Sequence, residues 1–542
     1  MSEWQVAMIK NPIQPWGRRR RAFRPVAMGA AWLLAGAVSV GAPPSLLSPF
    51  ETDRSPRPRT RIDAIVLGAL QKNGIEPAPI CSDAVFLRRV FLDLIGTLPT
   101  LEETSAFLAD AKPGKRERLV EALLQRPEYV DYWTLRWADL LRVKAEFPIR
   151  LWPKASEAYY RWIGQAIAEN RPYDRFARDL LLATGSNFYA PAANFYRALP
   201  AREPDDLARM VALTFMGVRG ETWPAAQWAE MGAFFSRIRY KGTSEWKEEI
   251  VYLDPQPSPA TTLRLPDGSR ARIAEGADAR AAFADWLISS RNPWFARVMA
   301  NRMWYWLVGR GIVHEPDDFR PDNPPAIPEL LDYLASELAA SGWDLRRLQR
   351  LIVLSDIYQQ SSVPRSADAR VDVLFARYLP RRLDAEVLID AICQVTGTNE
   401  RYVSPVPEPF TYVPEDMRTI ELPDGNSTSA FLELFGRPPR DTGLLSERNN
   451  ASNAGQRLHL LNSNHIHQKI VRSDRLRRLA ATAGSPRTTV DRLYLLILSR
   501  LPSAEERQAA LDYAARSGGR MGDAVTDLAW ALINSEEFLH RH

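Results

Sequence analysis

Phe86, Leu87, Val90, Phe91, Leu94 and Ile95 stand at i, i+1, i+4, i+5, i+8 and i+9, which places all six on one face of an α-helix. The same period runs through most of the chain. Amphipathic helices are expected over 116–125, 130–143, 156–170 and 173–183, then over 278–303, 328–340, 345–360 and 384–395. Thr100 and Glu103 in Leu98-Pro99-Thr100-Leu101-Glu102-Glu103 make a capping box, so a second helix starts just after the first. A sequence dominated by this period has little room for a large sheet. One stretch departs from it: in 251–275, Leu263–Leu265 and Arg270–Ile273 flank Pro266-Asp267-Gly268-Ser269, a hairpin signal. The expected fold is mainly α: a multi-helical, two-domain protein with a small β-hairpin insertion between the domains. The domains would be 62–250 and 276–542, joined by a β-leaning connector at 251–275.

The N-terminus reads as an address. Arg18–Arg21 and Arg24 precede an uncharged run whose apolar heart is Val26–Leu34, followed by the small triplet Ala35-Gly36-Ala37. This is the order of a secretory signal, and Arg20-Arg21-Ala22-Phe23 fits the core of a twin-arginine signal. The expectation is therefore export to the periplasm or cell envelope, with residues 1–42 acting as a signal peptide or an uncleaved membrane anchor. A Pro- and Arg-rich flexible linker follows over 43–61. The same segment accounts for the charge. The net +5 of the 542 residues is carried by six basic residues against one acidic residue in 1–24, which leaves the body formally neutral. The electrostatic footprint of a nucleic-acid binder is missing.

One internal echo ties the two ends together. Arg89-Val90-Phe91-Leu92 leads into Leu98-Pro99-Thr100, with Glu102 and Glu103 beyond; Arg492-Leu493-Tyr494-Leu495 leads into Leu501-Pro502-Ser503, with Glu505 and Glu506 beyond. The expectation is two copies of a helix, capped turn and helix.

Catalytic signals are sparse. No Walker loop, Rossmann fingerprint, nucleophile elbow or H-E-x-x-H occurs, and the two cysteines, Cys81 and Cys393, supply no disulfide framework, zinc knuckle or iron–sulfur site. Neither stands in a C-x-x-C-H, so covalent haem c is excluded, and no cofactor is predicted. Six histidines deserve placing. His314 lies beside Glu315, Asp317 and Asp318 in a loop forced by Gly309, Gly311 and Pro316. Adjacent carboxylates there could bind a cation or shift each other's pKa, or they could pair with Arg302 and Arg320. His314, Asp317, Asp318, Asn301 and Arg302 are the catalytic candidates. His465 and His467 are the metal candidates: on a strand they would share a side, whereas on a helix they diverge by about 200°. Asp384 in Arg381-Arg382-Leu383-Asp384 is placed to cap a helix, with the arginines bridging domains. The run Trp304-Tyr305-Trp306 sits in a helical pattern and reads as core. His540 and His542 are expected at a frayed C-terminus.

These segments resemble a family. Phe86–Thr100, Asn292–Arg297, Asn301–Trp304, Gly309–Phe319, Ser341–Trp343, Leu351–Ser362, Arg381–Glu386 and Asn534–Phe538 are similar, in order, to the planctomycete cytochrome-associated proteins. These are the fused domains of unknown function numbered 1549 and 1553, and the likeness covers nearly everything after residue 60. The resemblance implies export, an envelope location and association with c-type haem domains. Many members carry a C-A-x-C-H-x-H-P segment where this chain has Phe215–Trp228, without cysteine or histidine, and a later cysteine-bearing segment is Thr442–Arg448 here. The implied function is that of a non-haem binding or scaffolding paralogue, with other envelope proteins as partners and polysaccharide as a further candidate. Membrane contact would come only through an uncleaved N-terminus. The alternatives are a glycan hydrolase using the His314–Asp318 loop, and a non-covalent metal or electron-transfer protein.

Overall fold

The computed structural model describes residues 50–145, 151–516 and 521–542. The signal, twin-arginine and anchor expectations, and residues 43–49 of the linker, lie outside the described residues; residues 50–61 are tied to the body, the Thr52 amide donating to the Ile80 carbonyl at 2.9 Å and Glu51 pairing with Arg365 at 2.5 Å. Within them the fold is mainly α. The first expected pair is present as helices Asp83–Leu94 and Leu101–Ala109. Thr100 caps the second by accepting from the Glu103 amide at 3.1 Å while Glu103 receives the Thr100 amide at 2.8 Å.

The C-terminal echo repeats the device. Ser503 accepts from the Glu506 amide at 3.1 Å, Glu506 receives the Ser503 amide at 2.8 Å, and helix Ala504–Arg516 follows helix Pro486–Leu498. The two copies also meet. Helix Leu101–Ala109 packs on helix Pro486–Leu498, and Arg88 donates to the Ile497 and Phe538 carbonyls, both at 2.9 Å.

Two expected helices are shorter than their apolar pattern. The run over 278–303 is broken into Ala279–Leu287 and Phe295–Val308, because Pro293 cannot continue a helix and the Asn292 side chain accepts from the amides of Trp294 and Phe295. The run over 345–360 ends at Val353. Beyond it the backbone turns to meet the N-terminal segment: Asp63 accepts from the Ile357 amide at 3.1 Å, and Asp356 accepts from the Arg57 amide at 2.9 Å.

Strands are short and few. Thr261–Arg264 and Arg270–Ile273 form the expected antiparallel pair, closed by a turn in which Gly268 adopts φ +86°. A three-stranded antiparallel sheet places Glu249–Leu253 between Gly185–Ser186 and Ile238–Gly242, and the sequence pattern did not foretell it. The third sheet corrects the frayed C-terminus: His540–Arg541 pairs with Arg381–Arg382, and Arg541 is only 2% exposed. Its guanidinium finds buried carboxylates, which anchors the end of the chain. One continuous apolar core runs from Ile62 to Phe538. Among the described residues, no helix is long and apolar enough to cross a membrane.

Candidate functional site

Of the five catalytic candidates, Arg302 and Asp317 form a clasp and Asn301 ties the same loop to the helix, while Asp318 and His314 turn to other partners. Asn301 and Arg302 are fully buried on helix Phe295–Val308. Asn301 closes a two-way bond with the Val313 backbone, donating to its carbonyl and accepting from its amide, each at 2.9 Å. Arg302 reaches Asp317 Oδ1 through Nε at 3.0 Å and Nη2 at 2.8 Å, and it also donates to the Leu213 and Thr214 carbonyls. The other oxygen of Asp317 accepts from the Leu445 amide at 2.7 Å. Asp318 pairs with Arg320 at 2.8 Å. His314 stands 3.7 Å from Glu315, and burial together with Arg310 lowers its pKa. The Phe319 amide donates to the Gly217 carbonyl at 2.9 Å, seating this loop on the segment 215–228.

The metal candidates do not share a face. His465 and His467 lie on helix Asn464–Val471, where His467 is exposed and His465 turns inward. His465 Nε2 stands 2.8 Å from Glu400, and its Nδ1 lies 3.4 Å from His459. Glu400 also holds the Lys469 ammonium at 3.0 Å, and that ammonium lies 3.5 Å from Cys393 Sγ. Burial pushes the Cys393 thiol up to about 11. Among the described residues, no group of three or more His, Cys, Asp or Glu is placed to hold a metal ion.

The densest assembly of charge surrounds a cavity of about 190 Å³. Helix Pro127–Leu140 contributes Arg136 and Asp139, three residues apart and so on one face. Strand Arg381–Arg382 and the turn after it contribute Arg381 and Asp384; the C-terminal strand contributes Arg541; the loop at 444–451 contributes Arg448 and Asn450.

That loop is tightly held. Arg142 donates to the Thr442 carbonyl at 2.9 Å, Glu447 accepts the Thr442 amide at 2.6 Å, and Asp317 accepts the Leu445 amide. Gly443 is required where the loop crosses helix Pro127–Leu140, because a Cβ there would lie 2.7 Å from the Leu140 carbonyl oxygen. Thus the Arg302–Asp317 clasp positions the wall of the cavity.

Asp384 is the hub. Its Oδ2 accepts from Nη2 of both Arg136 and Arg541, the latter at 2.8 Å, and its Oδ1 accepts from Asn450 at 2.7 Å. The same two Nη2 groups donate to the Tyr132 hydroxyl at 2.5 and 3.0 Å. Burial alone would raise the Asp384 pKa. The guanidiniums of Arg136, Arg541 and Arg448 overcome it and hold the carboxyl well below its usual range. Arg448 in turn bridges Asp139 and Glu386, each at 2.6 Å. Arg136 and Arg541 therefore lie side by side, each bonded through Nη2, while their Nη1 groups donate to no described residue. Four guanidiniums line the cavity (Arg136, Arg381, Arg448, Arg541) against two carboxylates (Asp139, Asp384).

Two family models match in tandem. Residues 61–237 fit a protein of unknown function, DUF1549 (PSCyt2), and residues 279–514 fit a protein of unknown function, DUF1553 (PSD1). The chain belongs to the fused DUF1549–DUF1553 family. No curated protein and no solved structure matches it.

In this DUF1549–DUF1553 chain the cavity draws on both matched stretches. Arg136 and Asp139 come from the first, Arg381, Asp384 and Arg448 from the second, and Arg541 from beyond both. The sequence offered Asp384 only as a helix cap. It makes no capping bond to helix Ala385–Thr396, because both its oxygens are engaged in the arginine centre. Arg136, Asp139, Arg448 and Arg541 were not singled out. A signal did exist for Arg136, a charge set among Tyr132, Trp133 and Trp137 on a buried helix face. For Arg448 and Arg541, which sit in a loop and a two-residue strand, no periodic signal exists.

Proposed function

We propose that this is an exported cell-envelope protein that binds or scaffolds, and that its arginine centre receives an anionic group of its ligand. The reading rests on one observation: two buried guanidiniums share a carboxylate and a phenol and leave their Nη1 donors unpaired beside a cavity. Like charges held together in a low-dielectric interior are costly unless an opposite charge neutralises them. An anion in the cavity would do so and would satisfy both donors.

Export is supported by the basic and apolar order of residues 18–37. A role without covalent haem is supported by the missing C-x-x-C-H. Envelope proteins, or acidic groups on polysaccharide, are the partners this chemistry suits; nucleic acid is not, given a formally neutral body. Binding is favoured over hydrolysis because Asp317 spends both oxygens on the clasp and Asp318 is paired with Arg320.

The test is calorimetric titration of the purified protein with acetate, sulfate and phosphate, against chloride at matched ionic strength. Saturable heat with at least one oxyanion, lost in Arg541→Gln, is expected. The same weak response to every salt, chloride included, would refute the reading.

A further inference from the structure

The walls of the cavity set the amount of charge that fits as well as its sign. Followed outward through its ion pairs, the network holds six guanidiniums: Arg136, Arg381, Arg437, Arg440, Arg448 and Arg541. They face four carboxylates, Asp93, Asp139, Asp384 and Glu386. The next charges outward, Arg89 and Arg382 against Glu315 and Asp424, cancel one another. Two positive charges remain without a counterpart.

Shape narrows the choice further. The free Nη1 donors belong to two adjacent guanidiniums held on the same carboxylate and phenol oxygens, so a ligand must meet two separate forks, the two arms of the site. A tetrahedral group, with oxygens in three dimensions, can meet both arms and still present a substituent elsewhere. Pro438, Leu444 and Leu445 give the cavity an apolar side, with Trp306 and Tyr305 adjoining it. Inorganic ions have no use for that surface, whereas an organic body would bury against it.

We infer that the cavity binds a phosphate monoester: a doubly charged tetrahedral oxyanion on Arg136 and Arg541, with its organic body against Leu444 and Leu445. This rests on the anion-binding reading above and narrows it to one chemical class.

Phenyl phosphate and phenyl sulfate test the charge directly, since they share a shape and differ by one charge. In titrations of the full protein at about pH 7.5, phenyl phosphate should bind at least about tenfold more tightly than phenyl sulfate or benzoate, and more tightly than inorganic phosphate. Its affinity should fall as the monoester takes up a proton near pH 6, while that of phenyl sulfate stays level. The charged groups facing the site offer no competing titration there. They are guanidiniums, together with Asp139 and Asp384, whose pKa values are held below the usual range by Arg448, Arg440, Arg136 and Arg541 against the effect of burial.

Leu444→Glu places a carboxylate on the half-buried wall and should abolish binding. Tyr132→Phe, which only removes the hydroxyl orienting both arginines, should weaken it several-fold. Equal binding of phenyl sulfate and phenyl phosphate would overturn the inference while leaving anion binding intact. Equal or tighter binding of inorganic phosphate would overturn the organic body. Unchanged binding in Leu444→Glu would overturn the location. Failure of every anion would overturn both readings together.

Discussion

Replacing Asp384 with Asn would change little but charge at the centre of the arginine network. Asp384 is 2% exposed, and its two oxygens take hydrogen bonds from Arg136, Arg541 and Asn450. Asparagine keeps the shape but turns one acceptor into a donor that faces other donors. It also leaves Arg136 and Arg541 adjacent without their shared anion. Removing one partner of a buried ion pair costs about 3–5 kcal/mol. Here two pairs share the lost carboxylate, which pushes the cost up, while the freed Nη groups reach the cavity, which pushes it down. A loss of about 3–4 kcal/mol is expected.

Chemical denaturation followed by tryptophan fluorescence would read this loss. Two signatures accompany it. Sulfate should restore more stability to the variant than chloride at equal ionic strength, since a bound oxyanion takes the place of the carboxylate. The acid profile should also change. The folded Asp384 pKa lies below its unfolded value of about 3.9, so its contribution is present above that pH and is lost as the pH falls through the folded value. Asp384→Asn should lack that acid-side loss. A cost below about 1 kcal/mol, or rescue by chloride equal to that by sulfate, would refute the reasoning.

Three other outcomes follow from the same geometry. Arg302→Lys keeps the charge but loses the fork that spans Asp317 and two carbonyls; a cost of about 2–4 kcal/mol is expected, with faster proteolysis in the 442–448 loop, and native-like protection of that loop would contradict the clasp. Burial pushes Asp390 up to about 6 against the donors of Thr419 and Ile420, so the folded state holds its proton more firmly than the unfolded chain. Relative to Asp390→Asn, the wild-type denaturation midpoint should therefore decline as pH rises from about 4 to 6 and level off above; a rise across that window would reverse the sign. Because burial raises the Cys393 thiol to about 11, alkylation in the native state should be slow at neutral pH and accelerate toward pH 10, and labelling as fast as a free thiol at pH 7.5 would count against it.

Legibility in the sequence followed the range of the interactions. The capping boxes at Thr100 and Ser503 are local, four-residue devices, and both were readable along with the helices they start. The Pro293 break and the stop at Val353 were not foreseen, although the first is also local; the apolar period continued across both and outvoted the proline. The clasp was half legible. The pairing of Asp317 with Arg302 and of Asp318 with Arg320 was open to the sequence, but the further partners of Arg302 and Asp317, the carbonyls at 213–214 and the Leu445 amide, lie far along the chain. The arginine centre was least legible, since Asp384 lies 248 residues from Arg136 and 157 from Arg541, and the three join only once the core has formed. His540 and Arg541 show the same limit: nothing local says that these two residues will pair with Arg381–Arg382 in a sheet.

The arginine centre differs from the other buried ion pairs of this chain in a way that bears on function. Several other buried cations that tie elements together have a carboxylate partner, although Arg88 and Arg142 rest on backbone carbonyls alone. Arg302 meets Asp317 and two carbonyls, Lys469 meets Glu400 and the Asn399 carbonyl, and Arg500 lies between Glu506 and Glu537. A strut gains nothing from surplus charge, because each uncompensated ion in the interior costs several kcal/mol on an order-of-magnitude scale. Yet around Asp384 the chain gathers guanidiniums from both domain matches and from its last strand, then leaves two of them with unpaired donors at a cavity. If that surplus were incidental, added phosphate should stabilise the wild type no more than it stabilises Arg136→Gln. If the surplus is there for a ligand, the substitution should remove most of the stabilisation that added phosphate gives the wild type, whatever it costs the free protein through its lost bonds to Asp384 and Tyr132.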